Sequence, residues 1–415
     1  MTCKVIHIFS LTTCLLMVLF NLPQATASET SLRDLFTDSD GPVNVVCLGD
    51  SVTGVYYHTG GRRAYSAMVE IGLRRVFPKK QINVINAGIS GNTTVDGLNR
   101  LERDVLSKSP DLVTIMFSLN DMTRVPLTDF EANLKTMIEQ IKATGSLVLL
   151  CTPNSVFDST GRPVNKLEQY VTRIRTIAER EKIPLADCYA AYEKQRQEDE
   201  WNWVMWMSDD IHPNMGGHKR IAETIVERIS GQPISLEDVP PLLPHLPHTI
   251  AKLRAGKPVQ FVAMPPYDVL VEKLVRHNFP QAKLNIEPWP VANLSLKEIE
   301  LSADRIRAVK PDWVIINLPR EILPSQNADE LRHLSWILNK SLSFGQSEWD
   351  CLVMSPDLTR SASTNEEKQR GEILHQFVRN QDLPLLTRST FDSGEQIDSF
   401  KLFQKWWEQE QKQSP

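Results

Sequence analysis

The chain of 415 residues holds six cysteines but no Cys-x-x-Cys pair, and no His/Asp cluster at ligand spacing. A metal site and a disulfide-held scaffold are both absent from its pattern, and no cofactor is expected. His218 stands near His212 in sequence but reads as helix surface. The formal charge of -5 is small for this length, which leaves no footprint for nucleic acid or for an anionic membrane surface. No apolar run approaches the roughly 20 residues that a bilayer span needs, so no stable membrane anchor is expected. Collagen-like and disordered biases are also missing. With 41% hydrophobic and 23% charged residues, the chain has apolar material for more than one core, and two domains is the natural expectation.

What is present begins with a leader-like segment. Lys4 precedes a short apolar run from Leu11 to Leu22, and Pro23 and Ala25-Thr26-Ala27 follow, the layout of a secretory signal over residues 1–27. The expectation is export to the periplasm or beyond the cell. Cys3 and Cys14 would leave with that segment, and Cys47, Cys151, Cys188 and Cys351, set in or beside strand-like runs, are expected as buried free thiols.

From Val43 the periodicity alternates strand and helix. Strands are expected at Val43–Leu48, Ile82–Asn86, Leu112–Phe117, Leu147–Cys151 and Leu185–Cys188, and helices at Tyr65–Val76, Val95–Leu106, Phe130–Thr144, Leu167–Arg180 and Gly216–Ile229. Short, mostly apolar strands joined by helices imply a parallel sheet covered on both faces. Prolines at 233, 240, 241, 244, 247 and 258 then break the rhythm, so residues 232–258 read as a linker with a short helix near Ile250–Ala255.

The remainder, 259–415, reads as a worn copy of 40–231. Ser109-Pro110-Asp111-Leu112-Val113 is echoed by Lys310-Pro311-Asp312-Trp313-Val314, Phe77-Pro78 by Phe279-Pro280, Leu150-Cys151-Thr152-Pro153 by Val353-Met354-Ser355-Pro356, and Ile183-Pro184-Leu185 by Leu383-Pro384-Leu385. The copy differs where chemistry would sit, because no Asp-x-x-His follows Leu386. It is expected to be non-catalytic.

In the first half, the strand from Val43 delivers Gly49-Asp50-Ser51 at its carboxyl end, the edge of a parallel sheet where ligands bind. A serine hydroxyl needs a base to take its proton. In Asp209-Asp210-Ile211-His212 the first carboxylate lies three residues before the ring, which suits Asp209 for orienting Nδ1 while Nε2 faces Ser51. The plainer reading is that Asp209 or Asp210 caps the next helix, a task Asn214 can share. The oxyanion that forms on such a serine needs donors, and the candidates are the backbone N–H of Ser51, that of Gly88 in Ala87-Gly88-Ile89-Ser90-Gly91-Asn92, and the amide of Asn120 in Ser118-Leu119-Asn120-Asp121.

Gly49-Asp50-Ser51, Asn86-Ala87-Gly88-Ile89-Ser90-Gly91, Leu119-Asn120-Asp121 and Asp209-x-x-His212 resemble, in order, the four marker blocks of the SGNH hydrolase (GDSL lipase/esterase) family. The resemblance implies a three-layer α/β/α, flavodoxin-like sandwich with a central parallel sheet, here duplicated. It implies Ser51 as nucleophile, His212 as base, Asp209 as its orienter, and Gly88 and Asn120 as oxyanion donors. One departure stands out: the third block usually opens with glycine, and this chain has Ser118, whose Cβ would narrow the pocket or shift Asn120.

The resemblance implies hydrolysis of a carboxylic ester. Export, mild charge and the lack of a long apolar lid favour a small-molecule or saccharide ester, above all an O-acetylated carbohydrate, over a lipase, lysophospholipase or thioesterase on longer acyl chains. A non-catalytic carbohydrate-binding protein is the alternative from another class. Asn92, Trp203, Trp206 and Arg62 are the candidate pocket residues, the indoles because Trp201-Asn202-Trp203-Val204-Met205-Trp206 leads directly into the acid-base loop. No protein partner is indicated.

Overall fold

The computed structural model describes residues 31–38, 41–345, 347–391 and 398–414. The secretory signal expected over residues 1–27 lies outside them. No helix among the described residues is long and apolar enough to cross a membrane.

Two five-stranded, wholly parallel sheets organise the chain. The first contains β1 (Val43–Gly49), β2 (Ile82–Gly88), β3 (Leu112–Met116), β4 (Leu147–Cys151) and β5 (Leu185–Ala186) in the order β2-β1-β3-β4-β5. The second contains β6 (Val259–Ala263), β7 (Leu284–Pro288), β8 (Trp313–Ile316), β9 (Asp350–Met354) and β10 (Leu385–Leu386) in the order β7-β6-β8-β9-β10. Read strand for strand, the two orders are the same. Central strands such as β3, Leu-Val-Thr-Ile-Met, are buried at every residue, as a sheet covered on both faces requires.

The repeated sequence landmarks do the same physical work in both halves. The carboxylate of Asp111 accepts from the N–H of Asn44 in β1 at 2.7 Å, and that of Asp312 accepts from the N–H of Gln260 in β6 at 2.8 Å. Each aspartate pins the start of one central strand to its neighbour, where a ladder N–H would otherwise be unpaired. Downstream, the N–H of Thr152 meets the carbonyl of Ala186, and that of Ser355 meets the carbonyl of Leu386.

Two expected elements are broken for visible reasons. The helix expected at Val95–Leu106 is split into Thr94–Asn99 and Leu101–Asp104 with a 3-10 turn at Leu106–Lys108. Arg100 leaves helical geometry at the break, and its buried guanidinium donates to the carbonyls of Gly49 (2.8 Å) and Ala87 (2.7 Å) and to Asn92 Oδ1 (2.8 Å). It thus ties the ends of β1 and β2 to the following loop. The last strand of the first sheet stops at Ala186, because Asp187 caps a new helix, Cys188–Glu198, by accepting from Ala190 N–H. In the proline-rich stretch a short helix forms at Pro247–Arg254, with proline at its first position.

Cys47, Cys151, Cys188 and Cys351 are all buried and unpaired. Most tryptophans of the second half are also core: Trp289, Trp313 and Trp407 are fully enclosed, and Trp313 stacks on Trp407 at 5.6 Å.

Candidate active site

In the first sheet the chain runs from β1 to β2 on one side and then crosses to β3 on the other, so a crevice opens above the carboxyl ends of β1 and β3. Ser51 follows β1 and Asn120 follows β3. The close approach at this edge explains two glycines. A Cβ on Gly49 would lie 2.6 Å from the Met116 carbonyl, and one on Gly88 would lie 2.2 Å from the Gly54 nitrogen. Neither strand end has room for a side chain.

Ser51 Oγ lies 2.9 Å from His212 Nε2, and His212 Nδ1 lies 2.9 Å from Asp209 Oδ2 and 3.1 Å from Oδ1. All three side chains are nearly buried. The acid-base loop is a closed turn, in which Ser208 N–H donates to the His212 carbonyl while Asp209 Oδ1 accepts from the backbone N–H of Ile211 (2.8 Å) and His212 (2.7 Å). Asn214, not Asp209, caps the following helix Met215–Ser230, since its side chain accepts from Gly217 N–H. That division of labour leaves Asp209 free to hold the ring.

Burial disfavours the imidazolium of His212, but the charge and hydrogen bond of Asp209 more than offset it, so the ring titrates above its ordinary value. Burial likewise works against the Asp209 carboxylate, and His212 outweighs it and holds the group below its ordinary value. Beside Ser51, Asp50 is pushed up to about 6 by burial, against the opposing effects of the Val52 N–H and His212. Behind the base runs a stack of rings. His58 lies parallel to His212 at 4.4 Å, His218 lies beyond His58 at 5.7 Å, and Tyr65 lies beyond His218 at 6.3 Å. Burial, then the proximity of His212, lowers His218 to about 3 and His58 well below the usual range, so both back the base as neutral rings. His218, expected on a helix surface, is fully buried here because its helix packs this face inward.

A model of the GDSL-like Lipase/Acylhydrolase family matches residues 47–220. An acetylxylan esterase from Geobacillus stearothermophilus is 30% identical over 177 residues, covering 40% of this chain and 80% of that protein. The chain belongs to the GDSL-like lipase/acylhydrolase family. An arylesterase from Vibrio mimicus is 28% identical over 197 residues, 46% of this GDSL hydrolase and 90% of the relative. Among solved structures, a lipase/acylhydrolase from Enterococcus faecalis matches at 29% identity, covering 46% of this chain and 99% of that one, with a TM-score of 0.39. The acetylxylan esterase from Geobacillus stearothermophilus matches at 27% identity over 45% of this chain and 94% of that one, with a TM-score of 0.38.

Within this GDSL hydrolase the expected oxyanion set needs revision. The Gly88 N–H is engaged by its own neighbour's side chain, Asn86 Oδ1, at 2.9 Å. Three residues on, Gly91 adopts a φ of +75°, which suits glycine, and its N–H makes no hydrogen bond among the described residues. Gly91 was in the marker block, but sequence alone gave no reason to prefer it to Gly88. Asn120 is clamped: its Nδ2 donates to the Asn92 carbonyl at 3.0 Å, and its Oδ1 accepts from Arg162 Nη2 at 3.2 Å. Arg162, on the loop after β4, carries no motif and escaped the sequence reading. It has no carboxylate partner among the described residues, and its Nε is buried without a hydrogen bond. Ser118, in the place of the family's usual glycine, keeps a backbone φ of +143°, and its buried hydroxyl has no hydrogen-bond partner among the described residues. Glycine-like geometry is therefore retained with a side chain that fits it poorly.

The pocket candidates separate. Asn92 sits beside Asn120 as described. Trp203 is not a pocket residue: its ring is buried, packs on Phe157 at 4.5 Å and donates from Nε1 to Ser155. Trp206 packs on Tyr192, under the Arg220 guanidinium. Arg62 is turned toward the linker, where it donates to the Pro244 carbonyl at 2.9 Å, and Arg63 forms a buried bidentate pair with Asp382. From this loop Tyr57 reaches the site beside His58, its hydroxyl donating to Asp209 Oδ2 at 3.3 Å.

The second half touches the acid-base loop directly. Ser208 accepts at Oγ from Asn339 (2.9 Å) and Gln381 (3.2 Å), and its carbonyl accepts from Ser335 (3.0 Å). Asp210 receives Arg332 and Trp336. Phe344 stacks on Tyr57 at 5.7 Å, and the Arg307 guanidinium lies 4.8 Å from the same ring. Among the described residues, no group of three or more His, Cys, Asp or Glu side chains is placed to hold a metal ion.

Proposed function

We propose that this protein hydrolyses carboxylic esters through an acyl-enzyme on Ser51, and that its natural substrate is an O-acetylated carbohydrate. The observation that carries the reading is the continuous relay from Ser51 Oγ through His212 to Asp209, each link 2.9 Å long. In this reading His212 Nε2 takes the serine proton as Oγ attacks the acyl carbon, and Asp209 stabilises the imidazolium that results. The negative charge on the former carbonyl oxygen is met by the N–H groups of Ser51 and Gly91 and by the second amide hydrogen of Asn120, which has no other partner among the described residues. Collapse expels the alcohol, which takes its proton from His212. Water then repeats the sequence and releases the acid.

The carbohydrate part of the reading is supported by the acetylxylan esterase relative. The exported location expected from the leader-like first 27 residues belongs to the same proposal, and N-terminal sequencing of the secreted protein tests it. The substrate is tested with a p-nitrophenyl ester series from acetyl to octanoyl alongside acetylated xylo-oligosaccharides. Highest kcat/KM on acetyl groups is expected. Rates that climb steadily to octanoyl would replace the carbohydrate reading with a lipid one.

A further inference from the structure

Of the three indoles that precede the acid-base loop, Trp203 is buried, Trp206 is half-buried under the Arg220 guanidinium, and Trp201 is half-buried at a cavity. Trp201 lines a cavity of about 510 Å³ with Phe157 and Glu200 from the first half and Gln326, Asp329 and Arg332 from the second. The cavity lies along the outer side of the acid-base loop. Phe157 N–H donates to the Asp210 carbonyl at 3.0 Å, and Arg332, whose guanidinium lies 4.8 Å from the Phe157 ring, holds the Asp210 carboxylate. Asp210 is the immediate neighbour of Asp209, so two of the lining residues, Phe157 and Arg332, are bonded to the loop that carries the acid of the relay.

We propose that this cavity is a distal subsite for a neutral oligosaccharide chain, the part of the substrate that extends beyond the sugar bearing the ester. The proposal rests on the esterase reading for its position, but its chemistry is its own. The half-exposed Trp201 indole is the ring available to the C–H surface of a pyranose, since Phe157 is covered by Trp203 and Arg332, and the exposed Gln326 and Asp329 side chains in the lining offer donors and acceptors to its hydroxyls. The volume lies within the range of small-ligand sites. Charge decides the class of sugar. The carboxylates of Asp199, Glu200 and Asp329 outnumber the one lining cation, Arg332, which is also bonded to Asp210, so a uronate-bearing chain is repelled and a neutral one admitted. The assignment also gives the catalytically empty half a task, because one wall of the subsite is built from it.

Two readouts test this. In the active enzyme, kcat/KM on acetylated xylo-oligosaccharides should rise about tenfold from one sugar to chains long enough to enter the cavity. Trp201→Ala should erase that rise and Trp201→Phe should restore part of it. Because Trp201 also packs on the core, the surface double variant Gln326→Ala/Asp329→Ala provides a second test and should reduce the rise as well. In the Ser51→Ala protein, where turnover is not needed, a deacetylated neutral xylo-oligosaccharide should change tryptophan fluorescence on titration, and adding Trp201→Ala should abolish the change. A flat dependence on chain length in an enzyme that still cleaves p-nitrophenyl acetate through Ser51 would overturn the subsite alone. So would a uronate-bearing chain binding as tightly as the neutral one. Loss of Ser51-dependent cleavage of every ester would overturn the esterase reading instead, and the fluorescence titration would still decide the subsite.

Discussion

Arg332 grips Asp210 with two hydrogen bonds, of 2.8 and 2.7 Å, so a helix of the second half holds the residue that adjoins the acid of the relay. The pair is partly exposed and contributes little to stability. Its importance is geometric, because displacing a catalytic group by about 1 Å costs on the order of 100-fold in rate. Arg332→Met is expected to lower kcat on p-nitrophenyl acetate by about tenfold or more with the melting temperature nearly unchanged. Steady-state kinetics beside a thermal melt checks both.

Arg162 fixes the face that Asn120 presents, since the guanidinium can bond only to the oxygen of that amide. Arg162→Met should therefore lower kcat by about 10- to 100-fold, with a smaller change in KM, approaching the loss seen when an oxyanion donor itself is removed. A KM effect without a kcat effect would mean that Arg162 binds substrate only.

The pH profile follows from His212. The base must be neutral to accept the serine proton, and its pKa is raised, so kcat/KM should fall on acidification with an inflection above the ordinary imidazole value of about 6.5. Asp209→Asn removes the main interaction opposing burial. The inflection should then move to lower pH while kcat drops by about 1,000-fold or more, because the ring loses its orienting partner. A pH-rate profile of the two proteins reads both changes.

At Ser118 the strained backbone and the unpartnered buried hydroxyl both act against stability. Ser118→Gly is expected to raise unfolding free energy by about 1 kcal/mol while retaining activity, as urea denaturation and initial rates would show.

Arg63 and Asp382 form a buried bidentate pair, with Pro240 as a further acceptor for the guanidinium. Removing one partner leaves the other charged and enclosed, so Arg63→Met should cost about 3 to 5 kcal/mol in urea unfolding.

Much of this was legible in the sequence because it is carried by local patterns. Apolar strands followed by helices gave the parallel sheet, and the Pro-Asp landmarks at 110–111 and 311–312 gave the repeat because each aspartate pins a strand start in the same way. Ser51, His212 and Asp209 stand in short motifs at fixed offsets. What was not legible depends on contacts between distant segments. Arg100 breaks a helix in order to reach two strand ends, His218 is drawn inward to a ring stack, and Arg162 reaches Asn120 from a loop without a motif. Gly88 was the expected donor, and the motif does not show that the Asn86 side chain occupies its N–H. The indoles at 203 and 206 looked like pocket residues because aromatic composition does not reveal which way a short helix turns.

The central claim is that Ser51 is the nucleophile of an ester hydrolase, and it is tested most directly by the hydrolysis of p-nitrophenyl acetate at pH about 8 by the wild-type protein and by Ser51→Ala. The account predicts readily measured turnover in the first and a loss of at least about 1,000-fold in the second, with both proteins folded. Equal rates in the two would contradict it and leave a carbohydrate-binding protein that keeps the fold without the chemistry.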